Sequence, residues 1–133
     1  MDAGKMFLES PGRYPLEETL QRLTEAATAA GWRVTHTHDL GQTMLKNGFS
    51  VHPMRVMELC NPQYAHRILS EDSLRIFASM MPCRIAVYEK ADGRVYLSRM
   101  NNGAFAALIG GVVEETMSKA YRDVESFLDA VVE

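Results

Sequence analysis

Between Pro15 and Gly31 the apolar side chains Leu16, Leu20, Leu23, Ala27 and Ala30 recur at the spacing of one helical stripe. Proline suits the first turn of such a helix and glycine its left-handed stop. The period then changes. Trp32, Val34, His36, His38 and Leu40 alternate with Arg33, Thr35, Thr37 and Asp39, which predicts a strand whose apolar face carries both histidines. Ahead of the helix, Lys5 to Glu9 contains Met6, Phe7 and Leu8 and meets the Ser10-Pro11-Gly12 break, so a short first strand is expected there.

After the histidines, Asp39 is placed to cap a short helix carrying Leu40, Met44 and Leu45, which Gly48 ends, and Pro53 leads into a strand over Met54 to Cys60. Asn61-Pro62 is a cap followed by the residue best tolerated at the first helical position, and Tyr64, Ala65, Ile68 and Leu69 supply an apolar face for about two turns. Ser73 to Met81 fits either a helical turn or a buried extended segment, because short apolar runs do not separate the two. Cys83 to Tyr88 and Arg94 to Met100 flank Asp92-Gly93, a hairpin signal. Beyond Gly110-Gly111, one face holds Val113, Met117, Ala120, Tyr121, Val124, Phe127, Leu128 and Val131, and another holds Glu115, Lys119, Arg122 and Asp129. That pattern predicts a long closing amphipathic helix. No linker or repeat divides the chain. The expected architecture is α+β: residues 1–133 as a single domain, with helices packed on one mostly antiparallel sheet.

A length of 133 residues supports one core, and 47% apolar with 23% charged residues is ordinary for a globular chain. Residues 55–100 hold seven Lys and Arg against five carboxylates, too weak an excess for a phosphate-binding stripe, so nucleic acid is not an expected partner. Ala104 to Ile109 is the longest apolar stretch near the end and is far short of the roughly 20 residues that span a bilayer. Met1 to Glu9 carries Asp2 and Glu9 and lacks the apolar run of a secretory signal, which makes the cytoplasm the expected location and free thiols the expected state of Cys60 and Cys83.

The chain lacks a phosphate-binding Gly-rich loop with Lys, a nucleophile elbow, a Cys-x-x-Cys pair and a His-Glu-x-x-His helix, which argues against the common enzyme classes that use them. The thiols are the foremost candidates. Cys60 falls where a strand ends and a helix begins, so free amide N–H groups and the positive helix end favour a thiolate there. Arg84 follows Cys83, but adjacent strand residues point to opposite faces. Both cysteines equally fit small buried hydrophobes. Asn61 and Arg84 are supporting candidates. His36 and His38 project together and could hold a metal with Cys60 or Cys83. Asp39 and Glu58 are the carboxylates nearest them, able to orient a histidine or act as a base. His52 and His66 have no evident partners, and the methionines, among them Met57, Met100 and Met117, fall on packing faces. No cofactor is indicated.

Glu58-Leu59-Cys60-Asn61-Pro62 followed by Ala65, together with Met81-Pro82-Cys83-Arg84 and Val87-Tyr88-Glu89, resembles the domain-of-unknown-function family 302. Gly31-Trp32-Arg33-Val34 and Met100-Asn101 match as well, and the resemblance covers about residues 14–131. Members usually have a proline near position 101, where this chain has Asn101-Asn102. The resemblance implies the order β-α-β-β-β-β-α of the TATA-binding-protein-like fold group, frequent homodimers, and two Cys motifs that belong together. It implies no DNA binding and no settled activity. The expected function is therefore a non-catalytic, homodimeric domain that binds a small molecule or another protein on the sheet or in a dimer groove. The alternative is sulfur, redox or soft-metal handling at Cys60 and Cys83.

Overall fold

The computed structural model describes residues 3–133, the side chain of Ala3 excepted. The chain runs α1 (Ala3–Met6), β1 (Phe7–Pro11), α2 (Leu16–Ala29), β2 (Arg33–Asp39), α3 (Leu40–Lys46), β3 (Met54–Cys60) and α4 (Pro62–Leu69). A 3-10 helix (Asp72–Met80), β4 (Cys83–Glu89), β5 (Val95–Met100), α5 (Asn102–Ile109) and α6 (Gly111–Asp129) complete it. Without the short connecting helices this is the expected β-α-β-β-β-β-α order. The five strands form one sheet in the order β1-β5-β4-β3-β2, and every neighbouring pair is antiparallel.

Period-2 burial explains which face of the sheet is covered. Met57 and Leu59 of β3, Ile85 and Val87 of β4, and Val95 and Leu97 of β5 are buried against Leu16, Leu23 and Ala27 of α2 and Val124, Phe127 and Leu128 of α6. Gly31, at φ 84°, supplies the left-handed turn that lets the chain leave α2 and enter β2. A smaller cluster of Ile68, Ala106, Val113 and Met117 forms where α4 and α5 meet α6, with Leu74, Phe77, Met80 and Met81 packed against it. The segment left open by its sequence thus becomes a 3-10 helix that lids this cluster.

Trp32 joins the two halves of the packing. Its ring meets Tyr64 at 6.0 Å and Phe127 at 5.6 Å, both edge-on. Its indole N–H donates to Asp123 Oδ2 at 3.0 Å, and the Tyr64 hydroxyl donates to the same oxygen at 3.2 Å. At the other end of the fold, Arg13 N–H donates to Val131 O and Glu133 N–H to Pro11 O, which fastens the end of the chain beside β1.

Three findings correct or extend the expectations. The first strand is Phe7–Pro11 and not Lys5 to Glu9, since Lys5 and Met6 close α1 and the Ser10-Pro11 pair continues the strand. An edge strand tolerates a proline, because no neighbour needs its missing N–H on the outer side. Asn102 to Ile109 is a helix that no apolar period announces, because its run is apolar all round; Asn101 caps it, and Gly110 at φ 76° separates it from α6. The third concerns the histidines. A β-bulge between Val34 and His36 shifts the register of β2, so that Val34 opposes buried Leu59 while His36 opposes Glu58 and His38 opposes Val56. The extra residue turns both histidines onto the face away from the helices.

Asp123→Ala leaves the Trp32 N–H and Tyr64 O–H without their shared acceptor and is expected to cost about 1–3 kcal/mol of unfolding free energy, whereas the exposed Lys46→Ala stays within about 0.5 kcal/mol. Urea titration followed by Trp32 fluorescence checks both values.

Candidate functional site

Cys60 ends β3 and Cys83 opens β4, and the antiparallel register sets Leu59 opposite Cys83. The two thiols share the wall of one cavity of about 40 Å³ with Trp32, Tyr64, Pro82 and Met117, a space on the scale of one or two water molecules. Asn61, the residue after Cys60, accepts the Gln63 backbone N–H at 3.1 Å and so serves as the helix cap its sequence predicts. Burial pushes the Cys83 thiol up from its ordinary 9.0 to about 11, with the neighbouring Cys60 adding to the rise. Cys83 thus resists ionisation, which removes the property that makes a cysteine a nucleophile.

The second face of the sheet holds the other candidates. His38, Val56, Ala86, Ser98 and Glu9 line up in register across all five strands, and none of them belongs to either core cluster. Beside that row, His36, Glu58 and Arg84 form a second one. The His36 and His38 rings lie 4.3 Å apart, edge to face. His38 Nε2 is hydrogen-bonded to Glu58 Oε1, and Arg84 Nε donates to Glu58 Oε2 at 3.4 Å. The His38 hydrogen bond holds the Glu58 carboxyl below its ordinary range, against the opposing cost of burial, and Arg84 helps. At the far end of the same face the Tyr88 hydroxyl donates to Glu9, which also takes Lys90 Nζ at 2.7 Å.

The bulge thus decides what the alternation pattern leaves open. His36 and His38 stand on the second face, whereas Cys83 lies opposite Leu59 and packs against the principal core. Among the described residues, no group of three His, Cys, Asp or Glu side chains is placed to hold a metal ion. Asp39 caps α3 by accepting the Gln42 N–H at 2.9 Å and pairs with Arg55 at 3.3 Å. Arg84 points away from Cys83, as strand alternation requires, and its side chain is 62% exposed. His52 lies in a loop and His66 on the exposed side of α4.

Two contributors have no signal in the sequence. Asp123 sits among the polar positions of α6, and its role appears only when Trp32 and Tyr64 converge on it. Asn102 lies in an apolar helix, yet its Oδ1 is buried without a hydrogen-bond partner among the described residues.

Helices on one face of an antiparallel sheet, half-buried thiols at one end and paired titratable groups on the other face define an α+β domain. The model of the family Domain of unknown function DUF302 matches residues 8–133, and the chain belongs to that family. Among solved structures it is similar to the crystal structure of uncharacterized conserved protein DUF302 from Bacillus stearothermophilus. That likeness has a TM-score of 0.82 at 21% identity, over 93% of this chain and 96% of that one. At such identity it speaks for the fold alone. No curated protein matches the chain. Among the described residues, no helix is long and apolar enough to cross a membrane.

Two titrations follow from these environments. A raised thiol favours the folded state while protonated, so the contribution of Cys83 is complete below about pH 9 and is lost as pH rises toward about 11. Urea-unfolding free energies should fall across that window by up to about 3 kcal/mol more in the wild type than in Cys83→Ala. Glu58 has the opposite sign: its contribution is present above the ordinary carboxylate range and disappears as pH falls through its lowered value. Carbon-detected NMR of the Glu58 carboxyl should show its midpoint moving upward in His38→Ala, and an unmoved midpoint contradicts the assigned cause.

Proposed function

We propose that this protein is a non-catalytic binding domain that acts as a homodimer and uses the second face of its sheet to hold a small ligand. The observation that carries this proposal is the row of His38, Val56, Ala86, Ser98 and Glu9, which crosses the whole sheet without entering a core. Small side chains at its middle leave a shallow track, and hydrogen-bonded charged groups border it on both sides. A surface of this kind offers apolar contact with a few fixed polar groups, the usual composition of a ligand site. The raised Cys83 thiol fits a packing role for that residue. Dimerisation draws support from the exposed apolar side chains Leu108, Ile109 and Val112 at the junction of α5 and α6, which a second copy would cover.

One observation favours a second proposal, in which Cys60 carries sulfur or a soft metal. Both thiols line the same cavity, so a group bound at Cys60 has a second sulfur at hand. Native mass spectrometry before and after N-ethylmaleimide separates the two. A two-chain mass with Cys83 unlabelled until denaturant is added is the outcome expected for the binding domain. Rapid labelling of both thiols in the folded protein, or a bound metal or persulfide mass that disappears on alkylation, counts against it and for the thiol site.

A further inference from the structure

The two edges of the sheet differ. At one, β1 is short and carries Pro11, and the end of the chain lies against it, with Glu133 N–H donating to Pro11 O. At the other, the backbone of Arg33 to His38 hydrogen-bonds, among the described residues, to β3 alone, and Asp39 O accepts from Thr43 Oγ1 at 3.1 Å. Alternate residues of an edge strand aim their N–H and C=O groups outward, and Thr35, His36 and Thr37 are exposed. The bulge disturbs only the step from Val34 to His36. From His36 to Asp39 the register with β3 is unbroken.

Beside this open edge, on the helix-covered side of the sheet, a groove of about 850 Å³ lies between α2 and β2, lined by Glu17, Leu20, Gln21, Thr24, Glu25 and Thr37. Its charge is unbalanced at both ends. Glu17 and Asp39 share the one guanidinium of Arg55, at 2.9 and 3.3 Å. Glu25 meets, among the described residues, only the neutral Gln21 Nε2 at 3.3 Å. Arg22, which also borders the groove, is paired with Glu18 at 2.8 Å. Along α2 the positions of Glu17 and Glu25 are about 12 Å apart, and residues i and i+4 of an extended chain lie about 13 Å apart on one face. Residue i+2 then falls between them, over half-buried Leu20.

We infer that β2 accepts an extended segment of another protein as a sixth strand, one that carries two Lys or Arg side chains four residues apart with an apolar residue midway. Its backbone bonds to the free edge, its cations reach Glu17 and Glu25, and its middle side chain covers Leu20. The strand Arg33–Asp39 itself has one Arg and one Asp, so a second copy of it does not supply the pair of cations. This surface is separate from the sheet face and from the α5–α6 junction, and the inference goes beyond the function proposed above without resting on it.

The test titrates the full chain, labelled with nitrogen-15, with the end-capped peptide Thr-Lys-Thr-Val-Thr-Lys and reads amide chemical shifts. Saturable shifts are expected along residues 17–25 and 33–38. The counterpart Thr-Glu-Thr-Val-Thr-Glu should bind at least about tenfold more weakly, and so should the Lys peptide to Glu25→Lys, a change at an exposed helical position. N-methylation of alternate peptide amides separates strand addition from charge attraction. Methyl groups on one set of amides should abolish binding and on the other set should leave it in place, because only one set faces β2. Equal binding of the Lys and Glu peptides, indifference to both methylation patterns, shifts centred away from α2 and β2, or no saturable shift at all overturns the inference. Protection of β2 amides from hydrogen exchange that grows with protein concentration in the absence of peptide assigns the edge to a second copy and overturns it as well. None of these outcomes alters the thiol labelling by which the binding-domain function is tested.

Discussion

The Asp123 carboxylate receives two donors from distant parts of the chain, the Trp32 indole and the Tyr64 hydroxyl. Through it α6 is fixed to the start of β2 and to α4, and both of those segments border the thiol cavity. Each ring brings apolar area that must be buried and a polar atom that must stay bonded, so a single acceptor satisfies both requirements at once. Cys60 and Cys83 lie beside this joint, placed by the pairing of β3 with β4. Tyr64 and Trp32 form part of the wall of the cavity that both thiols line.

A second constraint acts through one residue of β2. The bulge after Val34 gives the strand an extra position, and every side chain beyond it changes face. Without it His36 and His38 point toward the helices. With it they stand over β3, where Glu58 accepts from His38 and holds Arg84 beside the 3-10 helix. The same bulge divides the chemistry of the molecule into two regions: a thiol pocket against the core at one end of the sheet, and a set of charged pairs on the exposed face. The chemistry therefore changes across the thickness of one sheet.

Much of the architecture was legible residue by residue. Proline at Pro15 and glycine at Gly31 bracket α2, Asp39 and Asn61 cap the helices that follow them, and Asp92-Gly93 turns the hairpin, because caps and tight turns depend on local stereochemistry alone. The misplaced strand end and the unassigned helix have a common origin. Ser10-Pro11 extends a strand because β1 lies at the sheet edge, and Asn102 to Ile109 forms a helix that packs on α6 and the small core through Ala106. Neither circumstance is local. The candidate site was legible as a set of residues and not as an arrangement: the Cys motifs could be named from their neighbours, but the separation of the histidines from them required the register.

The sequence by itself determined the class of fold, the family resemblance and the identity of the elements, because periodicity, capping and turn chemistry are written within a few residues of each position. Only the tertiary structure decided which face each candidate occupies, that Cys83 lies half-buried in one cavity with Cys60, that Asp123 is an anchor, and that Asn102 keeps a buried, unpaired acceptor. Those properties are relations between residues far apart in the chain. A bulge, a helix crossing or a shared cavity sets them, and no local period records such a relation.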